Sequence, residues 1–436
     1  MALPPRSRRL DGFPLRPVAD RASAHASALA RGRLGPLLLA VLLGACSAPS
    51  LGPSEPASPS RPAPSTSSSP PPAPSALPTV SLSEPTPLAS CADRVLAHLS
   101  GSQRVGQLFA VGLAENRFDA AARAAVETEH FGSWWFTQKT TLGAPAIRSV
   151  TSAIESEVSE AATGGVGFFI AANQEGGQIQ ALAGPGFDAI PSALEQGTWP
   201  VATLQARAAR WGRQLLAAGV NLDFAPVGDV VPSDRARSNA PIGALQREFG
   251  FEPEGVASHV ASFVEGMARA GVVTTAKHFP GLGRVTENTD FAAGVVDTVT
   301  TVDDSYLEPF RRAVAAGVPA VMVSLATYDA IDPGSIAAFS SSVVGGLLRD
   351  DLAFEGLVLS DSLSAEAVGG IPAGSRAVRF LEAGGDLVVV RPLDVAIEMA
   401  GAVSERASRV PAFRARVDEA VLRVLRAKEA AGLLPC

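Results

Sequence analysis

The chain has little cysteine, histidine or charge, and each shortage excludes something. Only three Cys occur in 436 residues, too few for a disulfide scaffold or a Cys-based zinc site. Four His lie beyond the leader (His98, His130, His259, His278), and none pairs at metal-ligand spacing, so no metal centre is expected. Charged residues make up 18% and hydrophobic residues 47%, which excludes a chain disordered throughout. From residue 91 onward 28 basic residues face 39 acidic ones. Such a surface repels phosphate backbones, so nucleic acid is not an expected partner. The longest apolar run, residues 34–45 (LGPLLLAVLLGA), is too short for a permanent membrane span.

That run does suit a secretory signal. Arg31 and Arg33 precede it, and Leu43-Gly44-Ala45-Cys46 resembles a bacterial lipobox, in which the Cys is lipidated and becomes the mature N-terminus. Residues 1–45 are therefore read as a signal peptide and Cys46 as the lipidation site. An ordinary signal with a chance Cys is the alternative. Residues 46–90 follow as a Pro/Ser-rich linker, with 13 Pro and 13 Ser between 47 and 90. The expected location is extracytoplasmic, tethered to the membrane by lipid.

Residues 91–436 form the expected single folded domain. Short apolar runs occur at 105–113, 132–137, 166–173, 220–230, 272–279, 320–328, 356–361 and 386–391. Ala-rich amphipathic stretches such as 201–218, 251–270 and 307–316 separate them. Eight strand-like runs alternating with helices predict an α/β fold of the (β/α)8 TIM-barrel type. An open doubly wound sheet is the alternative, weakened because no G-x-G-x-x-G follows the first run. Asn173, Asp229, Lys277, His278 and Asp361 all fall at the C-terminal ends of runs, the active-site face of such a barrel.

Each has a bland alternative. Lys277-His278 precedes the chain break Phe279-Pro280-Gly281-Leu282-Gly283 and can face a pocket or simply end a strand. Asp361, after GLVLS, can be a nucleophile, a metal ligand or a helix N-cap. Arg247, in a Pro/Gly-rich loop, can clamp a hydroxyl or carboxylate. Asp229 reads most simply as a turn residue.

The runs NQEGG, GVNLDFAPVGDV, KHFPG and LVLSDSLS, in this order, resemble the N-terminal catalytic domain of family 3 glycoside hydrolases, closest to single-domain β-N-acetylhexosaminidases that trim peptidoglycan. The likeness runs over roughly 100–432. It implies a cofactor-free retaining hydrolase that removes terminal β-N-acetylglucosamine from cell-wall glycans, with a carbohydrate as its partner and the protein acting as a monomer. It makes Asp361 the nucleophile and assigns sugar hydroxyl contacts to Asn173, Arg247, Lys277 and His278. The chain departs from the pattern where Asn173 replaces an Asp, Gln178 an Arg, and Leu282 and Leu325 a His each. The family's Asp-Ser-His acid/base triplet is here Asn288-Thr289-Asp290. Asp290 is then the general acid/base, with Glu287 in reserve. A β-glucosidase, a glycoside phosphorylase and a catalytically silent sugar-binding lipoprotein are the competing readings. Cys91 and Cys436 bracket the domain, and neighbouring first and last barrel units would let them form a disulfide.

Overall fold

The structure, a computed structural model, describes residues 90–436. The expected signal peptide, the lipidation site Cys46 and the linker up to residue 89 lie outside the described residues. Ser90 belongs to the folded part, not to the linker. Its hydroxyl accepts from the Asp93 N–H and caps the first helix, Cys91–His98 (α1).

Eight parallel strands form one sheet: Phe109–Leu113 (β1), Ser133–Phe136 (β2), Phe169–Ala172 (β3), Leu222–Asp223 (β4), Val273–Phe279 (β5), Ala320–Val323 (β6), Leu357–Ser360 (β7) and Val388–Val390 (β8). β8 pairs with β1, Phe109 opposite Val388, and a bridge from Leu359 to Leu387 joins β7 to the start of β8. The sheet therefore closes on itself, which excludes the open doubly wound arrangement. The strand side chains are buried almost throughout, as expected of a parallel sheet covered by helices.

The helices that cover it are Gly101–Gln107 (α2), Ala120–Thr128 (α3), Ala144–Glu155 (α4), Val201–Ala217 (α5), Pro253–Ala270 (α6), Glu308–Ala315 (α7), Ala373–Glu382 (α8), Leu393–Arg409 (α9) and Pro411–Ala430 (α10). Between β6 and β7 the covering element is Ser342–Asp351, wound as a π-helix.

Three strand expectations need trimming. Residues 105–107 end α2, because Ser100 and Gln103 form a capping box that starts a helix there, and β1 begins at Phe109. The run 220–230 pairs regularly only at β4. Pro226 has no N–H for a ladder, and pairing resumes at a single bridge from Val227 to Lys277. Thr327–Tyr328 leaves the barrel and pairs with Val296–Asp297 in a separate ribbon.

The base of the barrel ties both ends of the folded domain to the strands. Cys91 and Cys436 are joined by a disulfide, with Cα atoms 6.0 Å apart. The Glu429 carboxylate on α10 accepts from the N–H groups of Cys91 and Ala92, both at 3.2 Å, where a negative charge complements the N-terminus of α1. Lys428, fully buried, donates to Gln107 Oε1 at 2.7 Å and to the Gly132 carbonyl at 2.8 Å. Burial pulls its pKa down to about 7.

Candidate active site

A cavity of about 360 Å³ opens at the C-terminal ends of the strands. Asn173, Arg247, Lys277, His278, Asp290 and Asp361, all marked by the sequence, line it together. Asn173 follows β3, Lys277 and His278 end β5, and Asp361 follows β7. Arg247 comes from the loop after β4 and Asp290 from the loop after β5.

The chain after β3 turns back through Gly176 and Gly177, both at positive φ. A Cβ at Gly176 would meet the Pro191 carbonyl oxygen at 2.2 Å, so only glycine permits this turn. The turn points Glu175 inward, 4% exposed. Its carboxylate accepts from Arg247 through Nε and Nη2, both at 2.8 Å, and pairs with Lys277 Nζ at 2.6 Å. Burial raises the Glu175 pKa, but the Arg247 and Lys277 charges outweigh it and hold the carboxyl at about 2. Lys277 Nζ also donates to Asn173 Oδ1 at 2.7 Å, leaving one of its three protons for a ligand.

The β5–β6 ladder shifts register between Lys277 and Phe279, and both Lys277 and His278 line the cavity. His278 Nδ1 lies 2.7 Å from Asp229 Oδ2, and its backbone N–H donates to Asp229 Oδ1 at 3.2 Å. Asp229 also accepts from the Leu282 N–H at 2.8 Å. It is therefore more than a turn residue: fully buried, it fixes the His278 ring and the start of the following loop. With Nδ1 protonated towards Asp229, Nε2 faces Arg247 Nη2 at 3.4 Å. Beneath them Asp223 accepts from the Gln174 N–H at 3.0 Å, and burial pushes its carboxyl up to about 7.

The loop carrying Asp290 is fastened at several points. Asn239 Nδ2 donates to the carbonyls of Leu282 and Val285 at 2.8 and 2.7 Å. The Thr289 carbonyl accepts from the Ala367 N–H at 3.0 Å, and the Asp290 carbonyl from the Glu366 N–H at 3.3 Å. The Asp290 carboxyl stands at the rim of the cavity. Asp290 is itself exposed there, and partial desolvation beside the wall and the Asp361 charge raise its pKa, opposed by Arg391, Arg247 and His278. Glu287, the reserve acid/base, is exposed and does not line the cavity.

Asp361 is half-buried, and its Oδ1 accepts from the Ser362 N–H at 2.7 Å. The N-cap alternative fails, because α8 starts only at Ala373 and is preceded by Pro372. Trp135, Phe291 and Arg391 complete part of the wall without having been singled out in the sequence. Glu175 was visible only as a letter of NQEGG, yet it is the counter-charge that Arg247 and Lys277 share. Among the described residues no group of three or more His, Cys, Asp or Glu is arranged to hold a metal ion.

This arrangement can be set beside known proteins. The model of the glycosyl hydrolase family 3 N terminal domain matches residues 102–427. The chain belongs to glycosyl hydrolase family 3. A Xylella fastidiosa protein named beta-hexosaminidase is 34% identical over 262 residues, covering 58% of this chain and 76% of that protein. The crystal structure of a beta-N-acetylhexosaminidase from Beutenbergia cavernae is 47% identical, with a TM-score of 0.75 over 76% of this chain and 99% of that one. The structure of a family 3 beta-N-acetylglucosaminidase from Paenibacillus is 28% identical, with a TM-score of 0.69 over 77% of this chain and 63% of that one. Within this family 3 hydrolase, the cavity contains two carboxyl groups, Asp361 and Asp290, in contrasting environments. One is hydrogen-bonded at the strand end, and the other is on a loop that disfavours its charge.

Proposed function

We propose that the protein is a retaining, exo-acting β-N-acetylglucosaminidase that acts on cell-wall glycan fragments. The observation that carries this reading is the presence of Asp361 and Asp290 in one small cavity with Lys277, His278 and Arg247. A volume of about 360 Å³ is near the low end for ligand pockets and suits one terminal sugar. The N-acetyl preference is taken from the relatives named above.

In the first step Asp361 Oδ attacks the anomeric carbon while the bond to the leaving oxygen breaks. Asp290 gives that oxygen its proton. A water then attacks the glycosyl-enzyme ester, Asp290 takes its proton, and Asp361 is released with configuration retained. Lys277 and Arg247 donate to the ring hydroxyls, and His278 Nε2 accepts from one. Their geometry is set beforehand by Glu175 and Asp229.

The test is hydrolysis of 4-nitrophenyl β-N-acetylglucosaminide by the full chain and by Asp361→Asn. Turnover with retention, reduced at least about 10³-fold in the variant, is expected for loss of a nucleophile. Absence of turnover in the wild type refutes the reading. We further infer export and tethering through Cys46. Labelled palmitate incorporated in the producing cell should be lost in Cys46→Ser, and labelling of that variant would refute the anchor.

A further inference from the structure

Two side chains at the mouth of the cavity have no part in the cleavage described above. Arg391 directly follows β8. Its guanidinium carbon stands 5.7 Å from the centre of the Trp135 ring, and its backbone N–H donates to Ser364 Oγ at 3.3 Å. Arg247 and Lys277, the neighbouring cations, are both ion-paired and share the single negative charge of Glu175. Arg391 forms no ion pair and its guanidinium no hydrogen bond among the described residues, although it lines the same cavity. Its fork of donors is left facing the opening.

Phe291 is 82% exposed, the only aromatic side chain so exposed among the described residues. Its loop is not slack. The Phe291 N–H donates to the Asn288 carbonyl at 3.0 Å, and the two preceding carbonyls are held by Glu366 and Ala367. The backbone is thus fixed, and the ring stands in water at the rim of the cavity.

Phe291 adjoins Asp290 in the chain, and Arg391 is close enough for its charge to act on Asp290. Asp290 is the group that protonates the leaving oxygen in the proposed reaction. Whatever touches Phe291 and Arg391 is therefore the leaving sugar, not the sugar held over Lys277 and His278. A pyranose face stacks on an aromatic ring, and a guanidinium pairs with a carboxylate or phosphate. We propose that Phe291 and Arg391 form a leaving-group subsite that selects a sugar carrying an anionic substituent. This rests on the hydrolase reading above.

The experiment compares kcat/KM of the full chain on four disaccharides with the same terminal N-acetylglucosamine. The leaving sugar is N-acetylglucosamine, N-acetylmuramic acid, the methyl ester of that acid, or N-acetylglucosamine 6-phosphate. One rim ion pair predicts a preference of about two- to fivefold for an anionic over a neutral leaving sugar, shrinking as salt is added. A preference for the acid, for the phosphate or for both identifies which source of negative charge the subsite reads. In Arg391→Gln the ratio should collapse to about one, and Arg391→Lys should keep part of it. Phe291→Ala should lower all four substrates together by roughly tenfold while leaving the ratio in place. A wild-type ratio of one or below, or a ratio unmoved by Arg391→Gln, overturns the proposal. If Arg391→Gln does not fold, the salt dependence and Arg391→Lys still decide it. Calorimetric affinities of Asp361→Asn for the same four sugars read the ratio without turnover. Absence of hydrolysis thus counts against the hydrolase reading, and a binding ratio of one counts against the subsite.

Discussion

Glu175 offers the most demanding test of how this site is held. The substitution Glu175→Gln keeps the shape and removes one charge. In the wild type this carboxylate is 4% exposed and accepts from Arg247 at 2.8 Å twice and from Lys277 at 2.6 Å. Its pKa of about 2, against 4.5 unperturbed, corresponds to about 3 kcal/mol favouring the charged form in the folded state. A depressed carboxyl pKa gives stability that is fully present above about pH 4.5 and is lost as pH falls towards 2. Glutamine leaves two buried cations sharing one neutral oxygen, and breaking a buried pair this way costs about 3–5 kcal/mol. With about 2.1 cal/mol/K of unfolding entropy per residue over roughly 350 residues, Tm should fall by about 4–7 °C. Lys277, freed on one side, no longer presents its third proton at a fixed point, so kcat/KM should fall by roughly 10–100-fold, mostly through KM. Calorimetry at pH 7 and initial rates on the aryl glycoside measure both. A Tm within about 1 °C of wild type together with an unchanged KM would refute the reasoning.

Asp290→Asn should lower hydrolysis of a disaccharide by roughly 10²–10⁴-fold and the 4-nitrophenyl glycoside far less, because nitrophenolate leaves without a proton. Partial desolvation and Asp361 raise the Asp290 pKa, so the acid form persists above the ordinary carboxyl range. The alkaline limb of the disaccharide pH profile reports its loss and should vanish in the variant. Equal losses on both substrates with the limb intact would assign the proton to another group. Lys428 tests the barrel base. With a folded pKa of about 7 against 10.5 unperturbed, the unfolded chain binds more protons between these values, so stability rises with pH across that window. Denaturant melts of wild type and Lys428→Met at pH 6.5 and 9.5 should show the difference moving in favour of the wild type by about 3 kcal/mol. A difference independent of pH would show that this lysine keeps its ordinary pKa.

What the sequence alone determined was local in origin. Strands buried on both faces must be continuously apolar, and helices covering them must be amphipathic, so eight alternating units were legible as a barrel. Strand ends were legible because the chain breaks there with Pro and Gly, which placed Asn173, Lys277, His278 and Asp361 on one face. The motifs added Arg247 and Asp290, which line the same cavity. Where the reading slipped, a local signal competed. The Ser100/Gln103 capping box won residues 105–107 for a helix, and Pro226 interrupted a long apolar run. Partnerships were decided only by the tertiary structure. Glu175 meets Arg247 across 72 residues, and Asp229 meets His278 across 49. Arg391 reaches the cavity only because β8 lies beside β1. No spacing along the chain encodes such a pair. Whether a carboxylate is a turn residue, a counter-charge or a proton donor depends on which charges barrel closure brings beside it and how much water it removes.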